Sequence, residues 1–226
     1  MKKVVMGLFI ASLIGLVSVE ILHLAILRIV LKTITSVLFV LFAFLCYDER
    51  EEQQRFAKFL LCGLICSLFG DIFMALNPYH EIFMSFGIVT FAMAQVMYII
   101  GFTTCVRIHG RDFAMFLIIF LIIVATMTFG SFEFDGIYGA VLGYAAIISF
   151  MVVKAISLFR YYQNNRKLVV FEVTGAVLFL LSDLILLFYY FYTKQCPWLR
   201  GETNYVVYYP AQILIASGIR YQYIKK

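Results

Sequence analysis

Long apolar runs separated by short polar stretches make up almost the whole of this 226-residue chain. A helix needs about 20 mostly apolar residues to cross a bilayer, and eight stretches meet or approach that length. The pattern therefore predicts an all-α integral membrane protein, a bundle of eight transmembrane helices in a single domain, 1–226. The predicted helices cover about 4–24, 29–47, 56–76, 82–106, 113–129, 137–159, 168–192 and 205–223.

The polar stretches between these runs are the predicted connections. Residues 48–58 (DEREEQQRFAK) form an aqueous loop, and Asn77-Pro78 favours a tight turn. An acidic turn at 133–135, a polar loop at 160–167 and the longest outer connection, 193–204, separate the later helices.

The charges at the helix ends predict the topology. Lys2 and Lys3 precede an apolar run as in a signal peptide, but no small-x-small cleavage site follows, so we expect an uncleaved first helix. With eight spans, 14 of the 18 lysines and arginines fall on the N-terminal side of the membrane and four on the opposite side. By the positive-inside rule, this asymmetry predicts that both termini are cytoplasmic.

Composition excludes a soluble protein. The chain is 64% apolar and 14% charged, whereas soluble domains are roughly 45–50% apolar and about 25% charged. We therefore expect membrane lipids around it. The net charge of +5 does not indicate a nucleic-acid partner, because the basic residues lie in short loops between apolar runs. Short loops without a targeting tail favour a bacterial plasma membrane over an endoplasmic reticulum.

Cysteine and histidine patterns do not indicate a metal centre. The cysteines include no Cys-x-x-Cys pair, and most lie in apolar segments as small buried hydrophobic residues. The three histidines are far apart in sequence and lie near segment ends. We therefore expect no metal and no cofactor.

Two aspartates interrupt the apolar runs, Asp71 in predicted helix 3 and Asp183 in predicted helix 7. Each follows a glycine by eight residues (Gly63 and Gly175) and has a small residue directly before it. An ionised side chain at membrane depth costs about 3 kcal/mol or more, so such a residue is a functional candidate by default. Both helices run outward in the predicted topology, which places both carboxyls in the outer half of the membrane.

Further polar residues accompany the two aspartates on neighbouring helices. Gln95 follows an alanine in predicted helix 4 and Gln212 follows one in predicted helix 8, a pattern that a duplication of four helices in parallel would produce. Residues three or four apart share a helix face, as Ser67 and Asp71 do. The predicted outer cluster comprises Ser67, Asp71, Gln95, Tyr98, Ser182, Asp183, Tyr208, Tyr209 and Gln212.

Two other roles are open for this cluster. Polar side chains commonly hydrogen-bond one membrane helix to another, although Asn or Ser would serve that purpose at lower cost than two aspartates. Intramembrane carboxylates also form proton or cation relays in transporters. No helix broken by Pro or Gly stands beside either aspartate to favour the relay.

These residues resemble the YhhN family of membrane proteins, whose characterised animal members are lysoplasmalogenases. The matching pieces occur in order along nearly the whole chain. They are Ser67-x-x-Gly70-Asp71-x-Phe73, then Gly87, Phe91 and Tyr98, then Tyr144-x-Ala146 through Phe150-Met151, Gly175-Ala176 through Ser182-Asp183-Leu184, and Tyr208-Tyr209-x-Ala211-Gln212.

Two positions near the cluster deserve comparison with the family pattern. Lys32 falls where the family has a lysine opening helix 2, although Thr33 replaces the proline that often follows. Gln95 stands where the family usually has histidine. Because an amide does not titrate, Gln95 cannot take over a proton-transfer role of that histidine.

The resemblance implies hydrolysis of the vinyl ether bond of a lysophospholipid, a lysoplasmalogen, to a fatty aldehyde and glycerophosphoethanolamine or glycerophosphocholine. Protonation of the terminal alkene carbon gives an oxocarbenium ion, water adds to it, and the hemiacetal collapses. This chemistry needs one protonated carboxyl as acid and one carboxylate to stabilise the cation and orient water, as in glycoside hydrolysis. Burial and mutual repulsion let one carboxyl of a close pair keep its proton while the other ionises.

The resemblance therefore implies Asp71 and Asp183 as the catalytic residues of an ether hydrolase; which of them is the acid stays open. We expect both to line one cavity that opens to the outer leaflet. Tyr98, Tyr208, Tyr209 and Gln212 are expected to place the water and the glycerol hydroxyl, and Ser67, Gln95 and Ser182 complete the expected substrate-binding set.

Lys32 is the candidate for the substrate phosphate, with Arg200 as a helper, and interfacial snorkelling is the alternative for Lys32. Two alternatives to the lysoplasmalogenase remain. One is a hydrolase of the same fold that acts on another lysolipid or ether lipid. The other is a membrane transporter or lipid-binding protein in which the aspartates relay protons or cations.

Overall fold

The computed structural model describes residues 1–47, 54–161, 165–194 and 200–221. Within these ranges the chain forms eight α-helices joined by short connections. Parts of the predicted loops at 48–58, 160–167 and 193–204, and the end of predicted helix 8, lie outside the described residues. The helices are α1 (Lys2–Ile21), α2 (Ala25–Cys46), α3 (Gln54–Leu76), α4 (Ile82–Cys105), α5 (Gly110–Phe129), α6 (Tyr138–Ser157), α7 (Arg166–Phe191) and α8 (Gly201–Gly218).

Seven of the helices, α1 to α7, are long and apolar enough to cross a membrane. The chain is therefore an all-helical, multi-pass membrane protein. Helix α8 is shorter, at 18 residues, and contains Pro210 and several polar side chains. That α8 also spans the membrane, and that both termini are cytoplasmic, stay predictions from the sequence.

Helix α2 begins four residues before the start that the apolar pattern predicts, at Ala25 instead of Ile29. The short turn between α1 and α2 contains His23, whose φ of 56° lies in the left-handed region. The earlier start makes Arg28 and Lys32 residues of one helix face, four apart, at the end of the bundle where the functional candidates lie.

The helices pack mainly in consecutive pairs. The pairs α3 with α4, α7 with α8 and α1 with α2 make the most extensive contacts, and α8 also contacts α1, α2 and α3. Glycines allow the closest approaches: a Cβ at Gly63 would lie 2.4 Å from the Tyr98 ring, and one at Gly175 would lie 2.8 Å from Ile215. These glycines bring α3 against α4 and α7 against α8, and the contacts of α8 with α1, α2 and α3 join the pairs around the polar residues.

Helix α5 lies at the periphery, and in the described part of the chain α6 is the only helix whose backbone comes close to it. A buried ionic cluster fastens its first turn. The Asp112 carboxylate accepts hydrogen bonds from Lys154 Nζ (3.2 Å), Arg160 Nη2 (2.9 Å) and Ser157 Oγ (2.9 Å). Lys154 is fully buried and also donates to the Val106 carbonyl at 3.0 Å. This cluster lies at the end of the bundle opposite to the two intramembrane aspartates.

Helices α4 and α7 face each other without close backbone contact among the described residues, and aromatic side chains span the gap. Phe179 of α7 meets both Phe91 and Tyr98 of α4 edge to face, with ring centroids 6.3 and 6.4 Å apart. The gap matters because two cavities open beside it.

Candidate functional site

Asp71 is surrounded by hydrogen-bond donors from two other helices. Its side chain is 2% exposed. Ser36 Oγ donates to Oδ2 at 2.7 Å and the Tyr208 hydroxyl donates to the same oxygen at 2.8 Å. Lys32 Nζ lies 3.6 Å from Oδ1, as an ion pair. Both carboxylate oxygens thus face positive or donating groups, the arrangement that stabilises an ionised carboxyl.

Local sequence explains how these donors reach Asp71. Lys32 and Ser36 are four residues apart on α2 and so share the face that meets α3. Tyr209, next to Tyr208 on α8, contacts the Ser36 hydroxyl at 3.2 Å and donates to the Lys32 carbonyl at 3.2 Å. The second tyrosine therefore holds the α2 residues in place without touching Asp71 itself.

Asp183 has a simpler environment. The Tyr144 hydroxyl of α6 donates a hydrogen bond to Asp183 Oδ2. No described lysine or arginine forms an ion pair with Asp183. Its neighbour Ser182 donates to the Phe179 carbonyl at 2.7 Å, and Asn204 donates to the Ser182 carbonyl at 2.8 Å. Asp183 is thus held by one phenol and has no paired cation, in contrast to Asp71.

Both aspartates line the same cavity. Its volume is about 100 Å³, and it lies at the end of the bundle where α3 and α7 finish and α2 and α8 begin. Tyr208 and Lys32 line it with them, and Phe91 forms part of the wall. We name this space the polar cavity. Its lining comprises Glu20, Arg28, Lys32, Asp71, Met74, Ala75, Asn77, Pro78, Phe91, Asp183, Leu186, Tyr189, Tyr190, Gly201, Asn204, Tyr205 and Tyr208.

The mouth of the polar cavity carries a second ion pair. Arg28 Nη1 lies 3.5 Å from Glu20 Oε1, and the Tyr205 hydroxyl donates to Glu20 Oε2 at 3.3 Å. Arg28 Nε is buried and has no hydrogen-bond partner within the described ranges. Lys32 Nζ lies 5.7 Å from the centre of the Tyr205 ring, over its face. The mouth therefore carries two cations, Arg28 and Lys32, on one side of the aspartates. One N–H of Arg28 is not donated to any described residue.

Several residues predicted from the sequence lie deeper in the bundle. Ser67 Oγ lies 3.4 Å from the Tyr98 hydroxyl, which donates to Gln212 Oε1 at 3.2 Å. The Gln95 amide lies close to the Tyr144 hydroxyl, although neither amide atom has well-aligned hydrogen-bond geometry with a described residue. Of the ten residues expected at the site, four line the polar cavity: Lys32, Asp71, Asp183 and Tyr208. The other six stand behind its wall or beneath it: Ser67, Gln95, Tyr98, Ser182, Tyr209 and Gln212.

Sequence reasoning missed four residues that shape this region. Ser36, Tyr144, Arg28 and Asn204 were not among the expected site residues, although each contacts an aspartate, its neighbour or the cavity. The spacing of four between Lys32 and Ser36 was the available signal for Ser36. Tyr144 matches the family pattern, but only the packing of α6 against α7 shows that its hydroxyl reaches Asp183.

Glu172 is a third intramembrane carboxyl that the sequence reasoning passed over. It lies on α7, eleven residues before Asp183, and is fully buried. Neither carboxyl oxygen has a hydrogen-bond partner among the residues that the structure describes. It packs against Gly218 of α8, where a Cβ would lie 1.8 Å from Glu172 Oε1. A glutamate inside the apolar run 168–192 was visible in the sequence, but no neighbouring motif drew attention to it.

The helices, the short connections and the polar cavity define a multi-pass helical membrane protein in which a buried carboxyl, Asp71, and a half-buried one, Asp183, line one cavity. Within the described ranges, no three His, Cys, Asp or Glu side chains come together as metal ligands. The sequence model of the YhhN family matches residues 27–219. Since this match covers most of the chain, the protein belongs to the YhhN family. Neither a curated protein nor a solved structure matches the chain.

Proposed function

We propose that this protein is an intramembrane hydrolase that cleaves the vinyl ether bond of lysoplasmalogens, releasing a fatty aldehyde and a glycerophospho-base. The observation that carries the proposal is the single cavity lined by both Asp71 and Asp183. Membership of the YhhN family supports it, because the family is associated with lysoplasmalogenase activity. A vinyl ether needs an acid and a stabilising carboxylate at one bond, which two aspartates in one cavity supply.

The surroundings of the two carboxyls favour different roles. Asp71 accepts from Ser36 and Tyr208 and pairs with Lys32, so we assign it the ionised state and the task of stabilising the cation and orienting water. Asp183 has no paired cation in the described chain, so we assign it the proton.

The proposed reaction begins with proton transfer from Asp183 to the alkene carbon farther from the ether oxygen. The π electrons form the new C–H bond, and the positive charge is shared by the adjacent carbon and the ether oxygen. Water adds to that carbon as Asp71 takes its proton. The hemiacetal then breaks its C–O bond as Asp71 gives its proton to the glycerol oxygen and Asp183 accepts the proton of the hemiacetal hydroxyl, so that an alcohol leaves and the aldehyde carbonyl forms. The sum is the addition of one water, with both carboxyls able to return to their starting states by proton exchange.

Arg28 is the side chain we assign to the substrate phosphate. The expectation from sequence gave this role to Lys32, but Lys32 is engaged with Asp71. Arg28 lines the mouth of the polar cavity and has an N–H that no described residue accepts. A guanidinium also matches a phosphate with paired donors better than an ammonium does. Arg200, the expected helper, is 63% exposed and pairs with Glu202 at 3.8 Å, outside the cavity lining.

The test is aldehyde release by the purified protein from a lysoplasmenylethanolamine. We expect Asp71→Asn and Asp183→Asn each to lower the rate by about 100-fold or more, the usual range for loss of a general acid or base. Asp135→Asn is the matched control, because Asp135 is an exposed aspartate in the α5–α6 connection. Each variant must elute as the folded protein by size exclusion.

The same assay can contradict the proposal in two ways. Full activity in either aspartate variant would remove that carboxyl from the mechanism. No aldehyde from the wild-type protein, across ethanolamine and choline head groups, would exclude the vinyl ether as substrate. Release of another product from an acyl or alkyl lysolipid would identify a hydrolase of different bond specificity.

A proton or cation relay is the second candidate, and Glu172 is the observation that favours it. Together with Asp71 and Asp183, Glu172 places carboxyls at two depths of the bundle. In proteoliposomes a relay predicts ion flux without product formation. A relay also predicts that Glu172→Met abolishes the flux. The hydrolase instead requires only that the two aspartate variants abolish aldehyde release.

A further inference from the structure

A second cavity adjoins the polar cavity between the outer ends of α4, α6 and α7, and we name it the apolar cavity. Its volume is about 80 Å³. Each helix contributes residues at helical spacing: Met84, Ile88 and Phe91 from α4, for example, recur every three or four positions. Its lining comprises Met74, Met84, Ile88, Phe91, Val141, Tyr144, Asp183, Leu186, Leu187, Tyr190 and Phe191.

The two cavities share a wall at Asp183. Five residues line both spaces: Met74, Phe91, Asp183, Leu186 and Tyr190. On one side of this wall lie the charged groups of the polar cavity. On the other side, only Tyr144, Asp183 and Tyr190 carry an oxygen, and the remaining side chains are apolar. Asp183 and the hydroxyl that holds it therefore stand at a boundary between charged and hydrocarbon surroundings.

The apolar cavity also reaches the outside of the bundle. Met84, Ile88 and Phe191 line it and are themselves partly exposed, whereas Val141 and Leu187 are each 8% exposed and form its inner wall. Helices α4 and α7 lack close backbone contact here, which leaves the opening between them. In a membrane this opening faces lipid chains, since the surrounding helix surfaces are apolar.

We propose that the apolar cavity holds the first carbons of the substrate chain, so that a single-chain lipid binds across the wall with its head group in the polar cavity. This inference rests on the proposed function and gives the direction in which the substrate lies. The bond between head and chain then falls beside Asp183. Val141, Ile88 and Leu187 are the residues that limit the bulk of the chain next to that bond.

The size of the cavity sets what it selects. A cavity of about 150 Å³ in another protein binds one benzene molecule, so about 80 Å³ accommodates only a few chain carbons. The rest of a long chain extends through the opening into the bilayer. The protein should therefore accept chains of different total length but reject bulk, such as a branch, on the carbons nearest the ether.

The first experiment locates the chain without requiring any turnover. The probe is an acyl lysophosphatidylethanolamine with a diazirine near the fourth chain carbon, bound to the wild-type protein in detergent micelles, irradiated and analysed by peptide mass spectrometry. We expect labels on residues of the apolar cavity (Met84, Ile88, Val141 or Leu187), and unlabelled lysolipid should compete with them. Labels confined to the lipid-facing surface of α5, or labels that do not compete, would overturn the proposal.

The second experiment fills the cavity. Val141→Phe adds a ring at the inner wall. Ala140→Phe adds the same ring at the preceding residue of α6, which is exposed and lines neither cavity. We expect Val141→Phe to lower the competed labelling at least tenfold and Ala140→Phe to leave it within about twofold. Equal labelling in both variants would overturn the proposal.

The third readout separates this inference from the proposed function. If the wild-type protein releases aldehyde, Val141→Phe should lower kcat/KM for a hexadecenyl substrate about tenfold or more, because bulk in an apolar subsite is worth roughly 10–200-fold. The kcat/KM for an ethenyl analogue, which has no chain to place in the apolar cavity, should stay within about twofold. Equal losses for both substrates would contradict the chain subsite while the hydrolase stands. If no substrate releases aldehyde, the labelling pattern alone decides whether the lipid chain occupies the apolar cavity.

Discussion

Lys32 and Ser36 give Asp71 a neighbourhood that Asp183 lacks, although the two aspartates look alike in the sequence. Lys32 pairs with one oxygen of Asp71 and Ser36 donates to the other, whereas Asp183 accepts a hydrogen bond from the Tyr144 hydroxyl. In a medium of low dielectric such differences separate the protonation states of neighbouring carboxyls. These individual neighbours are the reason that we assign the acid role to Asp183 and the carboxylate role to Asp71.

Also at the scale of single residues, Glu172 should be a destabilising residue that is kept for a reason other than folding. A buried polar group without a partner costs about 1–3 kcal/mol, and Met fills a similar volume without a polar atom. We expect Glu172→Met to stabilise the purified protein by about 1–3 kcal/mol, seen as a rise of several degrees in the melting temperature in detergent.

Two comparisons sharpen that experiment. Glu133→Met changes an exposed glutamate in the α5–α6 connection and should leave the melting temperature unchanged. Gly218→Ala should destabilise, since its Cβ would collide with the Glu172 carboxyl, and the loss should shrink in a Glu172→Ala background. A lower melting temperature in Glu172→Met would mean that Glu172 has a stabilising partner, such as a buried water.

At the scale of the elements, the two helix pairs that carry the aspartates meet in the same way. Gly63 of α3 receives the ring of Tyr98, and Gly175 of α7 receives Ile215. Each glycine lies eight residues before its aspartate, and each partner lies three residues after the glutamine of the next helix. This correspondence in packing supports the hypothesis of a duplicated four-helix unit. In the sequence, that hypothesis depends only on the two Ala-Gln dipeptides.

Gly175→Ala should therefore destabilise the α7–α8 pair. Its Cβ would lie 2.8 Å from Ile215 Cγ1 and 3.1 Å from the Ala211 carbonyl oxygen, and backbone cannot move aside cheaply. We expect a loss of about 1–3 kcal/mol, measured by thermal or denaturant unfolding in detergent. Gly143→Ala on α6 is the control, because nothing lies within 4 Å of its Cβ and alanine favours a helix; it should be neutral or stabilising.

The sequence predicts the helices themselves better than it predicts their ends and their contact faces. Apolar runs predict the number and order of helices because spanning length is a property of composition, and a charged residue inside a run is visible directly. The start of α2 at Ala25 and the site role of Ser36 were not predictable in the same way. The first depends on a turn at His23 with positive φ, and the second on which face of α2 meets α3.

The placement of Tyr98 and Gln212 shows a further limit. Helical spacing correctly predicts which residues share a face, but it does not give the depth at which two faces meet. Tyr98 and Gln212 hydrogen-bond each other at 3.2 Å beneath the polar cavity, while Tyr208 reaches Asp71. Pairing across helices depends on how far one helix slides along another, and large residues such as Phe91 and small ones such as Gly70 set that offset.

At the scale of the whole molecule, all the proposed chemistry lies at one end of the bundle and the Asp112 cluster at the other. The polar cavity opens where α1 and α3 end and α2 and α8 begin. Under the predicted topology this end faces outward, and a lysolipid would reach it from the outer leaflet. The side of the membrane on which the substrate is consumed therefore depends on the topology.

Cysteine accessibility in intact cells tests that topology. After replacement of the native cysteines, Glu133→Cys places a thiol in the exposed α5–α6 connection and Ile108→Cys places one in the exposed α4–α5 connection. Because 14 of the 18 basic residues lie on the predicted inner side, a membrane-impermeant maleimide should label Glu133→Cys in intact cells and Ile108→Cys only after permeabilisation. The reverse pattern would place the polar cavity on the cytoplasmic side.

A cysteine appended after Lys226 tests whether α8 spans the membrane. Protection of this thiol in intact cells means that α8 crosses the membrane, and labelling means that the protein has seven spans.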